Sequence, residues 1–234
     1  MSEQVRVNFN RPIPVVPLPQ AVLLPHAVQP MHICEDRLME LVREAIDGPG
    51  LIAAASYTDR PCDENEEDEP AELRPAVCVG HIVEHEPMPG GRCNILLQGV
   101  CRARIQRMLE PDDDTPYRRA MLTPVQSVHE SCEELDHVRE TLHDLLTGTR
   151  LRRMKAVKHV LDWFDQDEVP THALLELLGF LLVNDTERKY ELLTEPDARR
   201  RARVITNELR DLDDLIAQAD KQSHHRWPKG MAWN

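Results

Sequence analysis

Residues 77–105 read VCVGHIVEHEPMPGGRCNILLQGVCRARI, and this stretch decides the fold of the first half of the chain. Valine, isoleucine and leucine are frequent in residues 77–86 and 92–98, which predicts two β-strands. The sequence Pro-Met-Pro-Gly-Gly at 87–91 separates the two runs and is typical of a turn. The three segments together predict a β-hairpin.

A further strand is predicted directly after the hairpin, because Gly99 permits a bend. Beyond that glycine, apolar and polar residues alternate. The apolar set is Cys101, Ala103 and Ile105, and the polar set is Arg102, Arg104 and Gln106. Side chains of a strand point alternately to opposite faces, so the pattern predicts one buried face and one solvated face.

Short apolar runs between proline and glycine breaks extend this pattern on both sides of the hairpin. They predict strand segments at residues 15–18, 22–24, 51–56 and 121–128. Apolar residues at helical spacing from Leu38 to Ile46 predict one amphipathic helix that ends at Gly48. These segments predict a small, closed or nearly closed β fold of about six strands and one helix.

The chain changes character near residue 128, after which long stretches have a helical period. Apolar residues share one face over 135–145 and another over 151–164, and residues 173–183 are apolar nearly all round. Thr194 is placed to cap a last helix, whose apolar seam is Ala198, Ala202, Ile205, Leu209, Leu212 and Ile216. The arginines at 199–201 and 203 lie mostly off that seam and predict a solvated face rather than a polyanion site.

This division predicts a β domain at residues 10–128, a helical bundle domain at 129–220 and a flexible tail at 221–234. Within the β domain, residues 59–75 include eight acids and predict a solvated loop, with a partner-docking arm as the alternative. Within the tail, Trp227 and Trp233 leave two interpretations open, a frayed terminus and a short docking anchor.

Composition narrows the class of protein further. The 234 residues have a formal net charge of −13, which disfavours non-specific binding to nucleic acid because the average field repels phosphate. No apolar stretch is long enough to cross a bilayer, and the N-terminus has no secretory signal. The six cysteines form no C-x-x-C pair, so free thiols in a cytoplasmic protein are predicted.

One motif suggests a metal site, and its local context argues against it. His81 to His85 spell H-x-x-E-H, a zinc-peptidase pattern that needs a helix to bring both imidazoles to one ion. The valine-rich flanks predict a strand, in which the two histidines stand about 13 Å apart. Residues 32 and 34 could suggest a His–Cys pair, but residues so close in sequence rarely reach the needed geometry.

No other catalytic signature is present in this sequence. It contains no G-x-x-x-x-G-K-[ST] phosphate loop, no G-x-G-x-x-G and no G-x-S-x-G. We therefore predict no catalytic residue, no metal and no cofactor, and expect that the chain is not an enzyme.

Three segments together resemble the N-terminal, substrate-binding domain of the Lon proteases. They are the proline-punctuated opening with its helix at 16–46, the hairpin and strand at 80–105, and the leucine-rich entry to the last helix at 192–195. The resemblance spans about residues 12–216, and the chain departs from it at His26, where the family commonly has glycine. It implies an α+β fold, a PUA-like pseudo-barrel followed by a helical bundle.

The resemblance also implies a function. It predicts a non-catalytic module that recognises polypeptides or a protein partner, such as unfolded or degron-bearing chains, with an adaptor in protein quality control as one form of this function. With no ATPase or peptidase segment in this sequence, a stand-alone family member is expected. Apolar grooves and exposed sheet edges are how extended chains are recognised. The candidate contacts are Leu23, Leu24, Met88 and Pro89, with core or turn positions as the alternative.

A second function class stays open at this point. PUA-like folds also bind small ligands or RNA, and the stripe of Arg102 and Arg104 is the feature that supports it. The acidic net charge argues against that interpretation. The dependence of binding on salt separates the two, because phosphate contacts weaken steeply with salt and apolar contacts do not. The sequence does not determine the partner or the oligomeric state.

Overall fold

The computed structural model of the chain describes residues 5–58, 72–126, 132–164, 166 and 169–221. It divides into two compact units. The first comprises Met1–His129 together with Asn184–Ala198, and the second comprises Glu130–Val183 together with Arg199–Asn234. The short segment at 184–198 therefore belongs to the first unit, although the sequence pattern grouped it with the helical bundle.

The first unit is built on one six-stranded sheet with the order β2-β5-β4-β3-β1-β6. Its strands are β1 (Ile13–Leu18), β2 (Val28–Ile33), β3 (Leu51–Tyr57), β4 (Leu73–Met88), β5 (Arg92–Leu109) and β6 (Arg119–Pro124). The β1–β3 pair is parallel and the other pairs are antiparallel. Helix α1 (Asp36–Asp47) connects β2 to β3.

The sheet curls, because β6 pairs both with β1 and with the second half of β5. The β1–β6 seam is only two residue pairs long, Ile13 with Ala120 and Pro14 with Arg119. The sheet is thus a pseudo-barrel with a short seam rather than a fully closed barrel. The predicted α+β class is confirmed, and so is the predicted hairpin, in which β4 and β5 pair from Ala76 to Arg104.

The interior of the curled sheet is lined by small and β-branched side chains. Buried residues of β1, β3, β4, β5 and β6 contribute to one cluster, which includes Val15, Ala53, Val79, Ala103 and Leu122. Strand β3 is buried at every position from Leu51 to Ser56, which accounts for its nearly continuous apolar sequence. Alanine in the centre of the sheet leaves room for the inward curl.

Three sequence-based assignments in this unit were wrong. Residues 22–24 form no strand, and the strand in this region is β2, whose exposed positions and Pro30 obscured its pattern. The chain does not bend into a separate strand at Gly99, because β5 continues through it. The predicted acidic loop also ends earlier than expected, because β4 already begins at Leu73. Residues 59–71 lie outside the described part of the chain.

Helix α5 (Thr186–Thr194) packs on the sheet and changes the environment of Arg102. The Arg102 guanidinium donates hydrogen bonds to the carbonyls of Leu193 (3.1 Å) and Leu192 (3.0 Å). The residue is only 6% exposed. The predicted solvated face of this strand is therefore wrong at Arg102, because that side chain satisfies carbonyls at the end of α5 that the helix itself leaves without partners.

Tyr190 of α5 also bonds the sheet, since its hydroxyl accepts from the backbone N–H of buried Ala76 at 3.0 Å. We expect Tyr190→Phe to lower the free energy of unfolding by about 1–2 kcal/mol, because it leaves a buried N–H without its acceptor. Urea denaturation followed by circular dichroism measures the change. Tyr57→Phe is the matched control, and an equal loss in both variants would contradict the role of this hydrogen bond.

The second unit is helical and contains α2 (Cys132–Gly148), α3 (Lys155–Phe164), α4 (Thr171–Leu182) and most of α6 (Ala198–Lys221). A 3₁₀ turn at Arg150–Arg153 interrupts the predicted face of 151–164. The predicted cap at Thr194 was wrong, because α5 ends there and α6 begins at Ala198. Pro196 favours an extended Glu195, whose ψ is 114°, so the two helices cannot merge.

A buried ion pair joins α4 to α6. Arg201 Nε lies 3.1 Å from Glu176 Oε1, and the two side chains are 4% and 3% exposed. Helix α4 is otherwise apolar, as the sequence predicted, and Glu176 is its buried exception. The predicted solvated arginine face is therefore wrong at Arg201, since a buried carboxylate partner holds that side chain inside.

No helix in the described ranges is long and apolar enough to cross a membrane. The same ranges contain no cluster of three metal-ligating side chains. His81 and His85 both lie within strand β4, which is the local structure that the sequence predicted for them.

Candidate functional site: an apolar groove at the hairpin

The four predicted contact residues occupy two different environments. Leu23 and Leu24 are fully buried, so they match the alternative interpretation of core residues. Met88 is 39% exposed at the end of β4, and Pro89 follows it in the exposed turn. Only the hairpin pair therefore offers side-chain surface to another molecule.

Met88 lines a groove of about 270 Å³ between α1 and the β4–β5 hairpin. Both walls come from the first unit. Helix α1 contributes Met39, Val42, Arg43, Ile46 and Asp47, and the hairpin contributes His85, Pro87, Met88, Gly91, Arg92 and Cys93.

The floor and walls of this groove are apolar. Val42 and Cys93 are buried and form the floor, where Cys93 Sγ lies 3.6 Å from Met39 Sδ. Ile46 is 41% exposed and stands on the α1 wall, and Met88 stands on the hairpin wall. Methionine is unbranched and polarisable, so Met39 and Met88 can adapt to side chains of different shape.

The helical period of α1 explains why these residues reach the groove. Leu41, Val42 and Ala45 are the buried residues of α1, while Met39 and Ile46, seven residues apart, both stand at the same border of that apolar stripe. Residues at spacings of three, four and seven lie on one helix face, as do Met39, Val42, Arg43 and Ile46. Sequence reasoning missed Met39, Ile46 and Cys93; the signal was an apolar stripe wider than the helix needs to bury.

The rim carries both signs of charge, with Arg43 and Arg92 as cations and Asp47 as the acid. Opposite charges at a solvated rim are screened by salt and add little to affinity. The groove is thus suited to apolar side chains without a strong preference for the charge of the surrounding chain.

A second surface lies at the edge of the sheet. Strand β2 is the first strand in the sheet order, and in the described part of the chain it pairs only with β5. Beside it, His32 Nδ1 lies 2.9 Å from Asn94 Oδ1, and Asn94 Nδ2 donates to Glu86 Oε2 at 3.2 Å. This polar chain crosses three strands and engages His32 Nδ1 with Asn94.

The thiols of Cys93 and Cys101 are protonated at neutral pH and are therefore poor nucleophiles. Burial raises the pKa of the Cys101 thiol to about 11 and also raises the pKa of Cys93. A thiol with a raised pKa stays protonated at neutral pH, and only the thiolate attacks or binds metal well. Cys93 therefore serves the groove as an apolar floor residue.

Arg102 cannot support the nucleic-acid interpretation, since its guanidinium is buried and donates to two backbone carbonyls. Arg104 is exposed on the same strand. Of the predicted stripe of Arg102 and Arg104, only Arg104 is therefore left to meet a phosphate, and a single contact is weak compared with the several that such binding needs.

The curled sheet with its connecting helix, followed by a helical unit, defines the class of α+β domains found at the N-terminus of Lon proteases. Two solved structures of that class are similar. The N-terminal domain of the Mycobacterium avium complex Lon protease has a TM-score of 0.63 and 18% identity, over 86% of this chain and 99% of that chain. The Lon N-terminal domain protein from Xanthomonas campestris has a TM-score of 0.56 and 20% identity, over 88% and 98%.

The chain belongs to the ATP-dependent protease La (LON) substrate-binding domain family, whose family model matches residues 12–211. The Lon protease of Desulfosudis oleivorans is 21% identical over 89% of this chain, and Lon protease 2 of Herpetosiphon aurantiacus is 25% identical over 89%. The chain spans about a quarter of the length of these relatives, 25% in each case. The predicted family resemblance is confirmed.

Proposed function

We propose that the chain recognises polypeptides by accepting their exposed apolar side chains in the groove between α1 and the β4–β5 hairpin. The observation that carries this proposal is a pair of exposed apolar walls, Ile46 and Met88, over a buried apolar floor. Exposed apolar surface of this kind is stabilised when another apolar group covers it. Of the contacts predicted from the sequence, Met88 lines this groove, Pro89 lies in the adjoining exposed turn, and Leu23 and Leu24 are core.

The size of the groove sets the expected strength of binding. A volume of about 270 Å³ has room for one or two large apolar side chains. Burying each side chain contributes about 1.5–3 kcal/mol, from which the entropy lost on ordering the bound chain must be subtracted. We therefore expect weak, sequence-tolerant binding, which suits a module that samples unfolded or degron-bearing chains.

The family supports this assignment, because its description names the matched domain as substrate-binding and its relatives are Lon proteases. For this chain we propose recognition of polypeptides in protein quality control. The most specific form of this proposal is an adaptor role. The sequence contains no phosphate-loop motif, so the binding test is made without ATP.

Met88→Glu tests the groove directly. Fluorescence anisotropy of a labelled, permanently unfolded polypeptide is expected to show saturable binding to the parent protein. The variant is expected to bind about tenfold more weakly, because a charged carboxylate replaces an apolar wall. Val83→Glu is the matched control: Val83 is also exposed on β4, at 47%, but lies outside the groove.

Equal loss in both variants would contradict the groove as the binding site, and no saturable binding by the parent protein would contradict autonomous chain recognition. Repeating the titration at high salt distinguishes polypeptide binding from the second function class, the binding of small ligands or RNA. Apolar binding is expected to change little, whereas steep weakening would support a ligand with phosphate groups.

A further inference from the structure

The helical unit has its own groove, formed by α2 and α6 and unrelated to the hairpin site. Its volume is about 720 Å³. Helix α2 contributes His137, Val138 and Thr141, and α6 contributes Arg199, Ala202, Arg203, Thr206, Asn207 and Arg210. All of these residues belong to the second compact unit.

The lining of α6 is one continuous helical face. The lining positions on this helix are 199, 202, 203, 206, 207 and 210. Successive positions are three residues or one residue apart, which keeps all of them on the same side of the helix. At 1.5 Å per residue this face is about 16 Å long, or three helical turns. The groove exists because Ala202, Thr206 and Thr141 are short, so the space between the two helices is not filled by side chains.

The described α6 lining of the groove is cationic. Arg199, Arg203 and Arg210 are exposed along it, and none of the described side chains that line the groove is acidic. The chain as a whole has a formal net charge of −13, so the charge of this described α6 face is opposite to that of the chain. Carboxylates are attracted to such a site, because arginine presents a planar fork of donors that matches a carboxylate.

The floor is apolar while the border is cationic. Ala202 of α6 is buried and Val138 of α2 is half-buried, and both line the groove beside the arginines. A small free anion would pair with the arginines but leave this floor in water. A nucleic acid would pair with them too, but the net charge of the chain repels a phosphate backbone.

We propose that this groove binds an acidic amphipathic helix of a partner protein. Apolar residues of that helix, spaced three and four apart, cover the floor, while its glutamates and aspartates pair with Arg203 and Arg210. A length of about three turns matches the α6 face. This site adds a second, charge-selective contact to the chain and does not depend on the hairpin groove for its function.

Three labelled helical peptides of about 15 residues test the proposal by fluorescence anisotropy. The first has leucine along one face and glutamate on the flanks, the second replaces glutamate with lysine, and the third replaces leucine with serine. Saturable binding of the first peptide, weakened by added salt, is expected. Binding of the lysine peptide with equal affinity would overturn the charge selectivity, and equal binding of the serine peptide would overturn the apolar floor.

The double variant Arg203→Glu with Arg210→Glu is expected to bind the first peptide at least about tenfold more weakly, since two attractive contacts become repulsive. Arg152→Glu is the charge control: Arg152 is exposed in the same unit but outside the groove. Unchanged affinity in the double variant would overturn the proposal. Displacement of the peptide by a single-stranded oligonucleotide would also overturn it and favour nucleic acid.

Discussion

Replacing Glu176 with alanine is expected to lower the free energy of unfolding by about 3–5 kcal/mol. The change leaves the Arg201 guanidinium buried opposite an apolar side chain, at a position where its partner atom was 3.1 Å away. A buried charge that loses its carboxylate partner is far less stable than the same charge in water. Denaturant unfolding followed by circular dichroism measures the loss.

The matched control is Asp220→Ala. Asp220 pairs with Arg153 at 2.6 Å, but both side chains are about half exposed, at 49% and 57%. The hydrogen bond from Arg153 lowers the pKa of Asp220, and water replaces that bond readily when it is lost. We expect little change in this control. A Glu176→Ala variant as stable as Asp220→Ala would show that the α4–α6 pair does not hold the helical unit together.

A compensated variant separates the pair from its charge. In Glu176→Leu with Arg201→Met, both charges are removed together and apolar groups of similar length replace them. Such replacements of buried ion pairs are often neutral or stabilising. We expect this double variant to recover most of the stability lost in Glu176→Ala, and continued instability would indicate that the pair has a further role.

Gly99→Ala is expected to prevent the β unit from reaching its native fold, or to destabilise it by at least about 4 kcal/mol. A Cβ added at Gly99 would stand 2.1 Å from the Leu24 carbonyl oxygen. That carbonyl cannot retreat easily. The Leu24 side chain is buried, and the adjoining turn is bonded on both sides, with His26 N–H donating to Gly99 O and Gly99 N–H donating to Ala27 O, each at 2.8 Å.

Substitutions at two other glycines provide a graded comparison for Gly99→Ala. A Cβ at Gly80 meets the side-chain atom Leu97 Cγ at 2.7 Å, and a side chain shifts more easily than a bonded carbonyl, so Gly80→Ala is expected to be milder than Gly99→Ala. A Cβ at Gly148, at the end of α2, meets nothing within 4 Å, and Gly148→Ala is expected to be neutral or slightly stabilising. Thermal unfolding of the three variants gives the order, and Gly99→Ala melting close to Gly148→Ala would contradict the backbone contact.

The elements with a strong period were predictable from sequence. The alternation in residues 77–105 predicted the hairpin, and the helical spacing from Leu38 to Ile46 predicted α1; both are present. Strand β2 was missed because an edge strand tolerates a proline and exposes side chains on its open side, which removes the apolar alternation that periodicity detects. Thr194 was predicted to cap the last helix but is the last residue of α5. The cause is local, because Pro196 favours an extended conformation at the residue that precedes it.

The groove was predictable only in part. Met88 was identified from its position in the turn, but its partners Met39 and Ile46 come from a helix that is distant in sequence. The spacing of α1 indicates which residues share its face. It does not indicate which surface that face packs against, and this packing determines which residues line the groove with Met88.

The sequence by itself determined the period of each long element, the order of those elements and the family, because these depend on residues that are near each other in the chain. Only the tertiary structure decided the fate of the charged residues. Arg102 and Arg201 follow patterns that predict solvent exposure, yet α5 supplies carbonyl acceptors for the first and α4 supplies a carboxylate for the second. A charge is buried when a partner far away in sequence compensates its desolvation, and local patterns contain no information about that partner.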